Sequence, residues 1–151
     1  MDIRVGELRT TQVIALLQAH HEDMLKHSPV ESVHALDLTG LEASDITFFS
    51  LWNNEELAGV GALKELDGEH GEIKSMRTSA NYLRQGIAHQ LLEHIIKQAQ
   101  HRSYKTLSLE TGTADSFLPA QTLYRQFGFQ ECKPFAHYSL DPYSMFMAKA
   151  L

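Results

Sequence analysis

The stretch Arg84-Gln85-Gly86-Ile87-Ala88 places a glycine turn between a strand-like run ending near Thr78 and a helix-like run ending near Arg102. Such a turn aims several unpaired backbone N–H groups at one point, where the helix dipole also favours negative charge. The guest it suits is a pyrophosphate. Two further residues stand at informative distances from the turn: Glu72 in the preceding strand, and Tyr124 in a later helix within Ala120-Gln121-Thr122-Leu123-Tyr124-Arg125-Gln126-Phe127-Gly128-Phe129.

On these residues the chain resembles the GNAT superfamily of N-acetyltransferases. The family's pyrophosphate loop, Gln/Arg-x-x-Gly-x-Gly/Ala, maps onto Leu83-Arg84-Gln85-Gly86-Ile87-Ala88, with Leu83 where the family usually has Gln or Arg. Phe117 likewise replaces an asparagine that the family often carries before this helix. The resemblance covers nearly the whole chain and implies acetyl-CoA as co-substrate, bound by Met76, Arg77, Thr78, Arg84, Gln85, Gly86, Ile87 and Ala88.

The reaction so implied is acetyl transfer from a thioester to a primary amine of a small molecule, by direct attack in a ternary complex. An alkyl amine has a pKa of about 10.4, so a base must remove a proton before attack. Glu72 matches the strand position of the general base in several family members. Tyr124 matches the tyrosine that protonates the departing sulfur, and a phenol of pKa about 10 is protonated and able to donate at neutral pH. The strand Ile73–Thr78 would pair its backbone with the pantetheine arm, and an N–H near Met76 would polarise the thioester carbonyl. In the family the first helices wall the acceptor pocket, which points here to Ser28 through Leu36 with Trp52, Phe135, His137 and Tyr138. His34 and Trp52 are the expected acceptor contacts. A non-catalytic acyl-CoA sensor, or an acetyltransferase acting on proteins, would use the same fold.

These residues need a scaffold, and the hydrophobic pattern supplies one. Val13, Leu16, Leu17, His20, Met24 and Leu25 recur at helical spacing after a capping Thr10 or Thr11. Ser28-Pro29-Val30-Glu31 reads as a capping box opening a short helix toward Leu36. Strands are expected over Asp2–Leu8, Ile46–Trp52, Leu57–Leu66 and Glu72–Thr78, the last three forming a meander. Ile87, Leu91, Leu92, Ile95 and Ala99 give the next helix one apolar face, and Tyr104–Glu110 alternates as a parallel crossover strand. A helix over Pro119–Phe127 and strands at Phe129–Lys133 and Ser144–Ala148 complete the order. The expected fold is α/β: a mixed central sheet flanked by helices, antiparallel in its first half and splayed at a parallel crossover, in a single domain over residues 1–151.

Composition narrows the function classes. The chain has 151 residues, enough to remove roughly two-thirds of the unfolded surface from water. A net charge of −6, from 13 basic and 19 acidic residues, has the wrong sign for a nucleic-acid partner. No apolar run is long enough for a membrane span, Met1–Glu7 lacks the basic region and apolar block expected of a signal peptide, and Cys132 is the single cysteine. A cytoplasmic location is expected. Exposed sheet edges would permit a homodimer. The nine histidines show no zinc spacing, Ser108 and Thr111 form no nucleophilic triad, and Cys132 reads as a buried thiol.

Overall fold

A computed structural model describes residues 1–151. Seven strands form one sheet in the order β1-β2-β3-β4-β5-β7-β6. Their ranges are β1 Asp2–Val5, β2 Ile46–Asn53, β3 Glu56–Asp67, β4 His70–Thr78, β5 Thr106–Gly112, β6 Gln130–Cys132 and β7 Ser144–Ala150. Four helices accompany them: α1 Thr11–His27, α2 Leu38–Leu41, α3 Ile87–His101 and α4 Leu118–Gln126. Only β4 and β5 are parallel; every other neighbouring pair is antiparallel.

Strand alternation divides the core into two layers. Phe49, Leu51, Leu63, Ile73, Leu107 and Leu109 pack with Leu91, Leu92 and Ile95 of α3 and with Tyr124 of α4. Phe48, Trp52, Val60 and Ala62 pack on the opposite face with Val13 of α1 and Leu41 of α2. α1 begins as its sequence predicts, with the Thr10 hydroxyl accepting from the Val13 N–H at 3.3 Å. Leu25, expected in its buried stripe, lies on the exposed side.

The second helix differs from its expected form. Ser28 closes α1 instead of opening a new helix: its backbone N–H bonds the Met24 carbonyl and its own conformation is extended. Pro29 continues extended, so Val30–Ser32 forms one 3-10 turn without a side-chain cap. Helix resumes only at α2, where the Asp37 carboxylate accepts from the Gly40 N–H at 2.8 Å. Cys132 also departs from expectation, since the three residues of edge strand β6 are all exposed.

The parallel seam is short. β4 and β5 pair from His70↔Thr106 to Ile73↔Leu109 and then part, while β5 stays paired to β7 through Gly112. Beyond Ile73, β4 keeps β3 on one side and has an open edge on the other. A bulge at this point, where Ser75 adopts φ 57°, turns the strand between its pairings with Ala62 and Val60.

Candidate active site

The parting of β4 and β5 makes a cleft of about 110 Å³ through the sheet, walled by α1 on one side and α4 on the other. Among its lining residues are Glu72, Lys74, Met76, Glu110, Tyr124 and Tyr138. His20 and Met24 of α1, His34, and Phe117 complete the mouth.

Glu72 is 2% exposed and sits on β4 opposite Ser108 of β5. Its Oε2 accepts a hydrogen bond from the Tyr138 hydroxyl at 2.6 Å and one from Lys74 Nζ at 3.2 Å. Lys74 also donates to the Tyr138 oxygen at 2.8 Å, closing a triangle. A buried carboxylate is costly unless charge and hydrogen bonds compensate it, and here both do. Burial and the neighbouring Glu72 carboxylate raise the Tyr138 phenol far above its ordinary value, so it remains a donor.

Tyr138 belongs to the β6–β7 connection, which aromatic edges hold in place. Its ring meets His34 and Phe135, each with centroids 5.0 Å apart. Ser32 donates to Asp141 at 2.5 Å, tying the segment after α1 to the same connection. His34 thus reaches the cleft wall. Burial first, then the Lys74 charge, lowers its imidazole pKa.

Tyr124 projects from α4 and is 7% exposed. Burial, reinforced by Glu110, raises its phenol well above the ordinary range and keeps the proton on the oxygen. Proline in the first turn starts α4, and Phe117 precedes it. The Phe117 ring lies flat on Gly112, where any Cβ would collide with it. The phenyl group therefore occupies the β5 end of the cleft.

Glu110 was not anticipated. The expected strand ended at Glu110, where a carboxylate would ordinarily be solvated, but β5 continues to Gly112. Its alternation with Leu107 and Leu109, which turns Glu110 away from the α3 layer, was the available signal. The seam that makes this position a cleft wall was not visible in a linear pattern.

The glycine turn lies beyond the open edge of β4. Arg84 at φ 60° and Gly86 at φ 78° are both left-handed, and Gly86 occupies the N-cap position of α3. Ile87 buries its side chain and, with Ala88, contributes backbone N–H groups to the unpaired helix start. Gln85 bonds back to the Asn81 carbonyl at 3.2 Å, and Leu83 is exposed. Tyr82 anchors the approach, donating to Glu56 at 2.5 Å and accepting from Asn53 at 3.0 Å.

β4 carries Met76, Arg77 and Thr78 toward this turn. Met76 lines the cleft and Thr78 pairs with Gly59. Arg77 binds Asp23 of α1 at 2.8 Å, so its guanidinium has a partner within the fold. Trp52 is the one expected acceptor contact that does not reach the cleft. It is 4% exposed among Val13, Leu41 and Phe48, with the Arg4 guanidinium 5.0 Å above its ring. Its strand is separated from β4 by β3, which corrects the acceptor assignment. No three His, Cys, Asp or Glu side chains gather as metal ligands, and no helix is long and apolar enough to cross a membrane.

This architecture recurs in known proteins. Residues 12–129 match the profile of the acetyltransferase (GNAT) family. The chain is 56% identical to the uncharacterized N-acetyltransferase YsnE of Bacillus subtilis (strain 168), over the full length of both. It is 50% identical to the uncharacterized N-acetyltransferase YedL of Escherichia coli (strain K12), covering 99% of this chain and 94% of that one. The crystal structure of a GNAT family acetyltransferase from Elizabethkingia anophelis with acetyl-CoA bound superposes with a TM-score of 0.70 at 22% identity, covering 99% of this chain and 97% of that one.

Proposed function

The chain belongs to the acetyltransferase (GNAT) family, and from that membership we propose that residues 1–151 act as one cytoplasmic domain transferring an acetyl group from acetyl-CoA to a primary amine of a small molecule. The carrying observation is continuity: the open edge of β4 beyond Ile73 leads from a cleft containing carboxylates and a buried phenol toward the unpaired N-terminus of α3. That path suits a long ligand with amides in its arm and a diphosphate at one end.

In this reading the N–H groups of the Arg84–Ala88 turn hold the pyrophosphate, and the β4 edge at Met76–Thr78 pairs with the pantetheine amides. Arg77 would approach the phosphates only by leaving Asp23. The acceptor enters beside His34 and Tyr138 on the α1 side. A cleft carboxylate, Glu72 or Glu110, takes one proton from its ammonium. The neutral nitrogen then attacks the thioester carbon. As the C–N bond forms and the C–S bond breaks, Tyr124 gives its proton to the leaving sulfur, and the proton still on the acylated nitrogen restores the phenol.

A family acetyltransferase structure containing acetyl-CoA supports the choice of donor. Exposed Leu83 and the Phe117 ring over Gly112 favour the second reading, a sensor that binds acyl-CoA without turnover. Calorimetry with acetyl-CoA, followed by thiol release across a panel of primary amines, separates the two. Binding with amine-dependent thiol release supports the enzyme; binding without release on any amine leaves the sensor.

A further inference from the structure

We propose that Glu110 is the carboxylate that takes the acceptor's proton, while Glu72 is a positioning residue that fixes Tyr138 and Lys74 along the acceptor wall. This assignment rests on the acetyl-transfer reading. It begins with the different surroundings of two acids in one cleft.

Both donors around Glu72, the Tyr138 hydroxyl and the Lys74 ammonium, converge on Oε2. Lys74 is 9% exposed, and protonating Glu72 would strand its charge without a counter-ion. Oε1 makes no hydrogen bond within the fold, but the carboxylate as a whole already has a cation beside it. An acceptor ammonium arriving there would have to compete with a cation already in place.

Glu110 is the first residue of β5 beyond the last seam pair, Ile73↔Leu109. It shares a register position with Phe146 of β7 and lines the same cleft as Tyr124. The nearby ammonium is committed to Glu72 and Tyr138. Glu110 therefore has the opening, the neighbourhood and the unpaired charge that an incoming alkylammonium requires.

Burial raises the Glu110 carboxyl to about 7, a value suited to accepting a proton near neutrality. The groups facing it are Glu72 and Lys74 from β4, Tyr124 from α4, and Tyr138 and Asp141 from the β6–β7 connection. Glu72 and Asp141 act in the same direction as burial, whereas the Ser144 hydroxyl of β7 and, after it, the Lys74 charge oppose it. The proton balance is simple: one ammonium proton passes to Glu110 before attack and leaves to solvent after product release. The second follows the Tyr124 route described above.

The test compares thiol release against pH for wild type, Glu110→Gln and Glu72→Gln, using acetyl-CoA and the best amine of the panel. Wild-type activity should fall on the acid side with a midpoint near 7. Glu110→Gln should lower kcat at neutral pH by about 100-fold and erase that limb, with acetyl-CoA affinity held within about twofold. Glu72→Gln should keep the limb and raise KM for the amine. The assignment is overturned if Glu110→Gln stays within about threefold of wild type or if Glu72→Gln is the variant that loses the limb. A carbon-13 titration of the Glu110 carboxyl in wild type gives an independent readout should the variant unfold; a midpoint near the ordinary 4.5 overturns the proposal. Acetyl-CoA binding by wild type with no thiol release for any amine instead rejects acetyl transfer, and this assignment with it.

Discussion

The Tyr138 hydroxyl donates to Glu72 across 66 positions of sequence, at 2.6 Å, and thereby pins the β6–β7 connection to the floor of the cleft. A hydrogen bond to a buried carboxylate contributes about 2 kcal/mol. Tyr138→Phe should therefore lower the melting temperature by roughly 4–8 °C. Because the same side chain lines the cleft, the proposed reaction predicts that KM for the amine rises more than acetyl-CoA affinity falls. Calorimetric melting and steady-state kinetics check both, and an unchanged melting point would show that the bond contributes little.

Tyr124→Phe removes a hydroxyl for which the structure gives no intramolecular hydrogen bond, leaving the aromatic edge to Phe129 at 5.9 Å intact. Stability should hardly change. Turnover should drop by about 100-fold if the phenol protonates the leaving sulfur, while acetyl-CoA binding persists. Thiol release and calorimetry on one preparation decide it; full activity in the variant rejects the donor role.

Gly86 tests the turn by conformation instead of space. A Cβ there would meet nothing within 4 Å, yet φ is 78°. Gly86→Ala should cost about 1 kcal/mol, a melting drop of roughly 2–4 °C, and weaken acetyl-CoA by about tenfold as the N–H groups rotate away. Gly86→Asn, which tolerates the left-handed region better, should lose less of both. Equal effects from the two variants would argue against a conformational cause.

His20 and Glu110 pull the pH dependence of stability in opposite directions. Burial, followed by the Arg77 charge, lowers the His20 ring from 6.5 to about 4. Between those values the unfolded chain takes up a proton that the native chain refuses, so this contribution is lost as pH falls. Glu110, raised from 4.5 to about 7, holds a proton that the unfolded chain releases, so its contribution is lost as pH rises through that interval. The two slopes largely offset each other between pH 4.5 and 6.5. Glu110→Gln should therefore expose the histidine slope, with a relative loss on the order of 3 kcal/mol as pH drops from 6.5 to 4. His20→Gln should tilt the curve the other way. Denaturant unfolding at several pH values measures this, and parallel curves for all three proteins would contradict it.

Local signals conveyed most of the scaffold. Thr10, the apolar face of α3 and the glycine-marked turns specified elements that the structure contains, because caps, periodicity and left-handed positions act within a few residues. Ser28 shows the limit of that reasoning: a residue suited to opening a helix was already engaged in ending one. Glu72, Tyr124 and His34 could be read toward the cleft, whereas Trp52 turned out to belong to the α1 layer. The place of Glu110 in the cleft depends on where two distant strands cease to pair, which no local pattern encodes. The Arg77–Asp23 contact likewise joins residues whose proximity only the packed fold creates.

Four paired positions are all that join β4 to β5, so the sheet is built as two leaves joined at a narrow hinge. Glu110 and α4, with its Tyr124, ride one leaf; the open β4 edge and the start of α3 ride the other. Changing the hinge by a single pair would swing one leaf against the other while preserving the spacing of residues within each. Cleft width can thus be retuned by descent or design at the hinge, without rebuilding the carboxylates and phenol that line it.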